Sequence, residues 1–127
     1  MTKEFAPYEL AVKLKALGFN EPCFGFYLED GTWTPASYSR KGTVFPSNAD
    51  LLPEWCAAPL CQQAFRWFRE KYEIYYIIEG SKKFGFQHFI YDDKGSYEIK
   101  SEETFKNYEE AELACLIKLI ELVESMV

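Results

Sequence analysis

Apolar positions change their period several times along the chain, and each change marks an element. In residues 6–17, Tyr8, Ala11, Val12, Leu14, Ala16 and Leu17 supply an apolar side with Lys13 and Lys15 beside it, the spacing of a helix. Pro7 suits the first turn, where its missing N–H costs nothing. Gly18 follows the last periodic residue as a left-handed C-cap, which predicts that Phe19 folds back onto Leu14. From Cys23 to Glu29 the period falls to two: Phe24, Phe26 and Leu28 share one strand face, Cys23, Gly25 and Tyr27 the other. Asp30-Gly31 predicts a type I′ hairpin turn. Thr32–Ser37 is the expected return strand, confined to a sheet edge by Pro35.

Between Ser37 and Ala58 the pattern is lost, interrupted by Pro46 and Pro53 but carrying Tyr38, Phe45 and Trp55. Ala58-Pro59 opens a second helix over about 60–71, with Leu60, Ala64, Trp67 and Phe68 on one side and Gln62, Arg66 and Arg69 opposite. A meander follows. Ile74, Tyr76 and Ile78 alternate with Tyr75, Ile77 and Glu79, and Gly80-Ser81 is the expected turn. Phe84, Phe86, His88 and Ile90 then alternate with Gly85, Gln87, Phe89 and Tyr91, and after the turn at Asp92–Gly95, Tyr97 and Ile99 oppose Glu98 and Lys100. Short turns make these strands antiparallel neighbours. The last helix spans about 108–125. Asn107 and Glu110 have capping-box spacing, and its apolar set covers well over half the circumference. That width predicts contact with both a sheet and another helix or a second subunit.

These elements predict a single α+β domain over 1–127. Its antiparallel sheet has four to five strands, with three helices packed mainly on one face, in the order α-β-β-α-β-β-β-α. The last helix is expected to be the most buried. Both faces of the meander are apolar, Tyr75, Ile77, Phe89 and Tyr91 on one and Ile74, Tyr76, Phe84 and Phe86 on the other. An antiparallel sheet wetted on one side alternates cleanly, so two covers are expected. The 31–57 segment is the favoured second cover and a homodimer the next.

Composition narrows the classes. The chain has 127 residues, 18% aromatic, with a net charge of -6; it is long enough to bury a core without disulfide or metal staples. Residues 101–127 hold seven Glu against Lys106 and Lys118, so that segment carries -5. Without a clustered positive footprint, binding to nucleic acid or to an anionic membrane is not expected. Residues 1–10 carry Lys3, Glu4 and Glu9 and no apolar core, and no run approaches a membrane span. A cytoplasmic location with free thiols at Cys23, Cys56, Cys61 and Cys115 is therefore expected.

Candidate chemistry is sparse. His88 and Cys23 are the one possible nucleophile–base pair, if their strands were adjacent, but His88 alternates with core residues and no third group is evident. The cysteines are spaced too loosely for a structural zinc site, and no motif implies a cofactor. The polar stripe Gln62, Arg66, Arg69 lines up amide and guanidinium donors suited to carboxylates or phosphates. Trp67, Tyr72, Trp33 and Trp55 are aromatic residues of the kind that interfaces favour.

Three stretches carry a resemblance: Phe5-Ala6-Pro7-Tyr8-Glu9 through Leu17-Gly18-Phe19-Asn20-Glu21-Pro22-Cys23-Phe24; Ala58-Pro59-Leu60-Cys61-Gln62-Gln63-Ala64-Phe65-Arg66-Trp67-Phe68-Arg69-Glu70-Lys71; and Tyr108-Glu109-Glu110-Ala111-Glu112-Leu113-Ala114-Cys115-Leu116-Ile117-Lys118-Leu119-Ile120-Glu121. Together they resemble a family of short uncharacterised proteins of gut bacteria and their phages or prophages. The resemblance implies an accessory, phage-type setting and no catalytic residue. The leading expectation is a non-enzymatic module that binds another protein or a second copy of itself, without cofactor or metal. The alternative is a small enzyme or ligand binder with a pocket near His88, placed between the irregular segment and the sheet.

Overall fold

In a computed structural model, the chain divides into two compact units, Met1–Cys61 and Gln62–Val127, with the division at the start of the second helix. That position explains why no linker composition marks it. The structure describes residues 4–36, 45–95 and 98–126, and the backbone of 38–39 and 42–43. The expectations placed on Ser37, the Tyr38 side chain and Tyr97 lie outside the described residues.

In the first unit, helix α1 (Tyr8–Ala16) ends as its sequence requires. Phe19 N–H donates to the Leu14 carbonyl, Gly18 N–H to that of Lys15, and Gly18 has φ 101°, a Schellman ending. Strands β1 (Gly25–Tyr27) and β2 (Trp33–Pro35) form the expected hairpin. The turn is not type I′. Only Gly31 has positive φ, and its N–H donates to the Leu28 carbonyl. Asp30 instead receives the Thr32 N–H on its carboxylate. This is a three-residue loop with a glycine bulge, which needs one left-handed position rather than two.

The irregular stretch is where the expected architecture changes. It holds β3 (Tyr38–Ser39), β4 (Gly42–Thr43), a 3₁₀ turn at Asn48–Asp50 and β5 (Cys56–Ala57). Strand β5 pairs with the free side of β1, so this sheet runs β2-β1-β5. Asn48 sets up that return: its amide donates to the Phe19 carbonyl at 2.8 Å and accepts the Ala57 N–H at 2.8 Å. The core is Phe5, Ala11, Tyr27, Cys56 and Ala58, with Tyr8, Trp33 and Leu60 against it. Tyr27 stays satisfied there by donating its hydroxyl to the Ala6 carbonyl at 2.6 Å.

The second unit is α2 (Cys61–Tyr72, entering from the boundary), the meander β6 (Ile74–Ser81), β7 (Gly85–Asp92), β8 (Glu98–Lys100), and α3 (Tyr108–Glu124). The strands lie antiparallel in the order β6-β7-β8, with β6 and β8 outermost. The first turn is Lys82–Phe84, not Gly80-Ser81, which remain in the strand; Phe84 at its tip is 77% exposed. At the head of α3, Asn107 Oδ1 accepts the Glu110 N–H, while Glu110 accepts the N–H of Lys106, one residue before the expected partner.

Among the described residues the fold is thus α+β with three helices, but in place of the single four- to five-stranded sheet there are two three-stranded antiparallel sheets and a two-stranded pair. The helices do not share one face: α1 packs on β5, α3 on β6 and β7. The local pattern could not show that β1 finds its third strand in a two-residue segment about thirty positions later. Nor is the last helix the most buried. It buries six of seventeen residues and α2 five of twelve, because Leu113 and Ile117 on its wide apolar face are left exposed.

Candidate functional site

Register assigns the faces of the second sheet. Directly opposite residues share a face and neighbours along a strand alternate. The inner set is therefore Ile74, Tyr76 and Ile78 with Ile90, His88 and Phe86, and Ile99 opposite Ile90. Here Ile74 and Ile90 are buried, with Ala111, Cys115, Leu116, Leu119 and Ile120 buried on α3, and Tyr76 stacks on Phe65 at 4.0 Å. Phe84, expected on this face, lies in the turn.

The outer set is Tyr75, Ile77 and Glu79 beside Tyr91, Phe89 and Gln87, with Lys100 and Glu98 beyond. It is not sealed as expected. Ile77 is 46% exposed, and Tyr75, Phe89 and Tyr91 are half-buried. Tyr75 and Tyr91 stack at 5.7 Å, Lys100 Nζ lies 5.8 Å over the Phe89 ring, and the Tyr75 hydroxyl donates to Asp93 at 3.0 Å. That hydrogen bond, more than burial, holds the Tyr75 pKa above the ordinary phenol value. A shallow depression of about 560 Å³ runs between Ile77, Phe89 and Tyr91, bordered by Glu79, Asp92 and Glu98. Glu73 and Asp93 add acid beside Tyr75, against Arg69 near the same tyrosine and Lys100 over Phe89. The face thus has an apolar centre with more acidic than basic side chains around it.

Of the stripe expected on α2, Gln62 is engaged within the unit. Gln62 Nε2 donates to Glu112 at 2.7 Å, and Gln62 Oε1 accepts from the Tyr76 hydroxyl. Burial, then the charge of Glu109, raises the Glu112 pKa, and the Gln62 hydrogen bond opposes them. Arg66 stands 4.0 Å from Glu70 one turn on, both side chains more than half exposed; Arg69 is exposed. Trp67, a candidate contact residue, is buried, its ring against Phe68 and Tyr72 and beneath the Lys71 ammonium. An α-helix with Ala64, Phe65 and Phe68 buried carries position 67 to the same side. Trp33 and Trp55 are half-buried in the first unit: Trp33 lies 5.1 Å from Phe5, and Trp55 stacks on Phe26 at 5.3 Å.

Cys23 and His88 belong to different units, each with its own surroundings. Cys23 is buried, and its thiol donates to the Glu21 carbonyl. His88 is 5% exposed. Burial, then the Lys118 charge, lowers its pKa from the ordinary 6.5. It borders a pocket of about 560 Å³ formed with Ser101, Phe105, Ile117 and Lys118. The far wall is α3 and the 101–105 loop, not the irregular segment. Sequence reasoning missed Ser101, Phe105 and Lys118, which carry no local motif and meet His88 only through the fold. Among the described residues no three His, Cys, Asp or Glu side chains are grouped to hold a metal ion. No described helix is long and apolar enough to cross a membrane.

Comparison with known proteins gave no match: no family model fits the chain, and no curated protein or solved structure aligns with it.

Proposed function

We propose that this chain is a non-enzymatic binding module whose outer sheet face docks a basic, apolar-centred segment of a partner protein. The sequence resemblance supports an accessory setting of phage type for it. The observation that carries the proposal is Ile77, 46% exposed in the middle of an aromatic face where an ordinary sheet would carry a polar residue. Docking removes this patch from water, the main favourable term in association. The acidic rim then favours Lys and Arg on the incoming segment and speeds encounter at low salt.

The test is a display selection of random twelve-residue peptides against the wild-type chain and Ile77→Glu. The expected outcome is enrichment of peptides with large apolar residues flanked by Lys or Arg. Their affinity should fall at least about tenfold with Ile77→Glu, since a buried unpaired carboxylate costs more than 1.4 kcal/mol. Equal binding to both proteins, or no basic bias, refutes it. So does a wild-type dimer in light scattering that Ile77→Glu turns to monomer, because a second copy then occupies the face.

A further inference from the structure

His88 lies on the inner face of the C-terminal sheet, away from the outer patch, and its surroundings are built. Ser101 clamps the strand on either side of it: the His88 N–H donates to Ser101 Oγ at 3.2 Å, and the Ser101 N–H donates to the His88 carbonyl at 3.0 Å. Ser101 Oγ then donates to the Glu103 carbonyl, so its one proton is committed there. The imidazole lies nearly parallel to Phe105, at 18° and 6.3 Å. The ring itself makes no hydrogen bond among the described residues, and Nδ1 is sealed from solvent without a partner.

An imidazole buried this way is neutral at pH 7, since burial and Lys118 both disfavour its charge. It then carries one proton on two nitrogens. A buried lone pair without a donor is tolerated better than a buried N–H without an acceptor. The proton therefore belongs on Nε2, which leaves Nε2–H as the donor through which His88 can meet pocket contents. Lys118 on α3 lines the same pocket. Its ammonium is held only by Glu121 at 3.9 Å, and its side chain is 45% exposed. The apolar walls are Ile99, Phe105 and Ile117, the last 38% exposed. The remaining charged groups lining the site are Lys100 on β8, Glu102 and Glu103 on the loop and Glu121 on α3.

The geometry points to a binding site for a small monocarboxylate with an apolar body. The carboxylate accepts hydrogen bonds from His88 Nε2–H and Lys118 Nζ, and the body lies against Phe105 and Ile117. The three glutamates outnumber Lys100 and Lys118 by one, so the lining as a whole opposes doubly charged, phosphate-bearing ligands. The pocket volume of about 560 Å³ suits a ligand of this size.

His88 is the sole histidine of the chain, so its ring resonances report the site without ambiguity. The test is an NMR titration of the full chain with phenylacetate, phenylacetamide and phenyl phosphate. Phenylacetate should shift the His88 ring signals with a Kd of about 1 mM, a usual fragment affinity for ten heavy atoms. It should also raise the His88 pKa, because an anion at Nε2 favours the charged ring. The neutral amide should bind at least about tenfold more weakly, lacking the charge-assisted bonds. Lys118→Gln should weaken phenylacetate by about the same factor and leave the amide unchanged, while Ile77→Glu should change nothing. The proposal is overturned if phenylacetate gives no shift at about 20 mM, well above fragment affinities. It is equally overturned if the amide or the phosphate ester binds as well, or if Lys118→Gln has no effect.

Discussion

Asn48 ties the irregular stretch to the rest of the first unit, and replacing it with alanine tests how that stretch is held. The side chain makes two hydrogen bonds of 2.8 Å, one to the carbonyl of Phe19 just past the end of α1 and one from the N–H of Ala57 in β5. Both are part-buried, so water replaces them incompletely. At about 1 kcal/mol each, with a share of the penalty for leaving Ala57 N–H unpaired, Asn48→Ala should cost about 2–3 kcal/mol. That corresponds to a fall of about 2 M in the urea midpoint for a slope near 1.2 kcal/mol/M. Amide exchange locates the effect, because protection at Ala57 should drop by about thirtyfold or more as the β1–β5 pairing loosens. Asn48→Asp sharpens the argument. It keeps the acceptor for Ala57 but sets a carboxylate oxygen against the Phe19 carbonyl, so it should be at least as damaging at pH 7 and recover in acid. An unchanged midpoint with unchanged Ala57 protection in Asn48→Ala would show that β5 is held by something other than this amide.

Two further outcomes follow from burial. The folded-state pKa of His88 lies below the unfolded 6.5, so the unfolded chain binds the extra proton first. Its contribution is fully present above pH 6.5 and is lost as pH falls toward the folded value. Denaturation midpoints of wild type and His88→Gln should diverge across that window, and parallel pH profiles would contradict it. The four cysteines are buried, and burial pushes the thiol of Cys115 up to about 12 and that of Cys56 to about 11. Alkylation at pH 7.5 should be slow for all four and rapid only in denaturant; a thiol labelled within minutes in the native protein would refute this.

Legibility followed the range of the interactions. The helix ends at Gly18 and Asn107, the β1–β2 hairpin and the β6–β8 meander rest on neighbours a few residues away, so period and capping residues announce them, although the turns at Asp30-Gly31 and after β6 differ from those expected. The partner of β1 was not legible, because β5 is two residues long and owes its place to Asn48 and to an N–H from Ala58 reaching the Gly25 carbonyl. Trp67 was legible in principle. Its helical position already grouped it with Ala64 and Phe68, whereas its naming as a contact residue rested on residue type alone. Gln62 shows the opposite case: no local signal reports an acceptor fifty residues away on α3. The same holds for the pocket, where alternation placed His88 on the inner face, but only the 101–105 loop turning back onto that strand creates the concavity.

Strand β6 has one further implication, for the history of the chain before it is folded. It is an outermost strand of eight residues, and Ile74 to Ile78 is an uninterrupted greasy run. Such a run in a nascent or partly unfolded molecule is a template for stacking with its own copies. Glu73 and Glu79 stand at its two ends and act as electrostatic bookends. Their charges repel the same positions on a neighbouring copy wherever the inner side is uncovered.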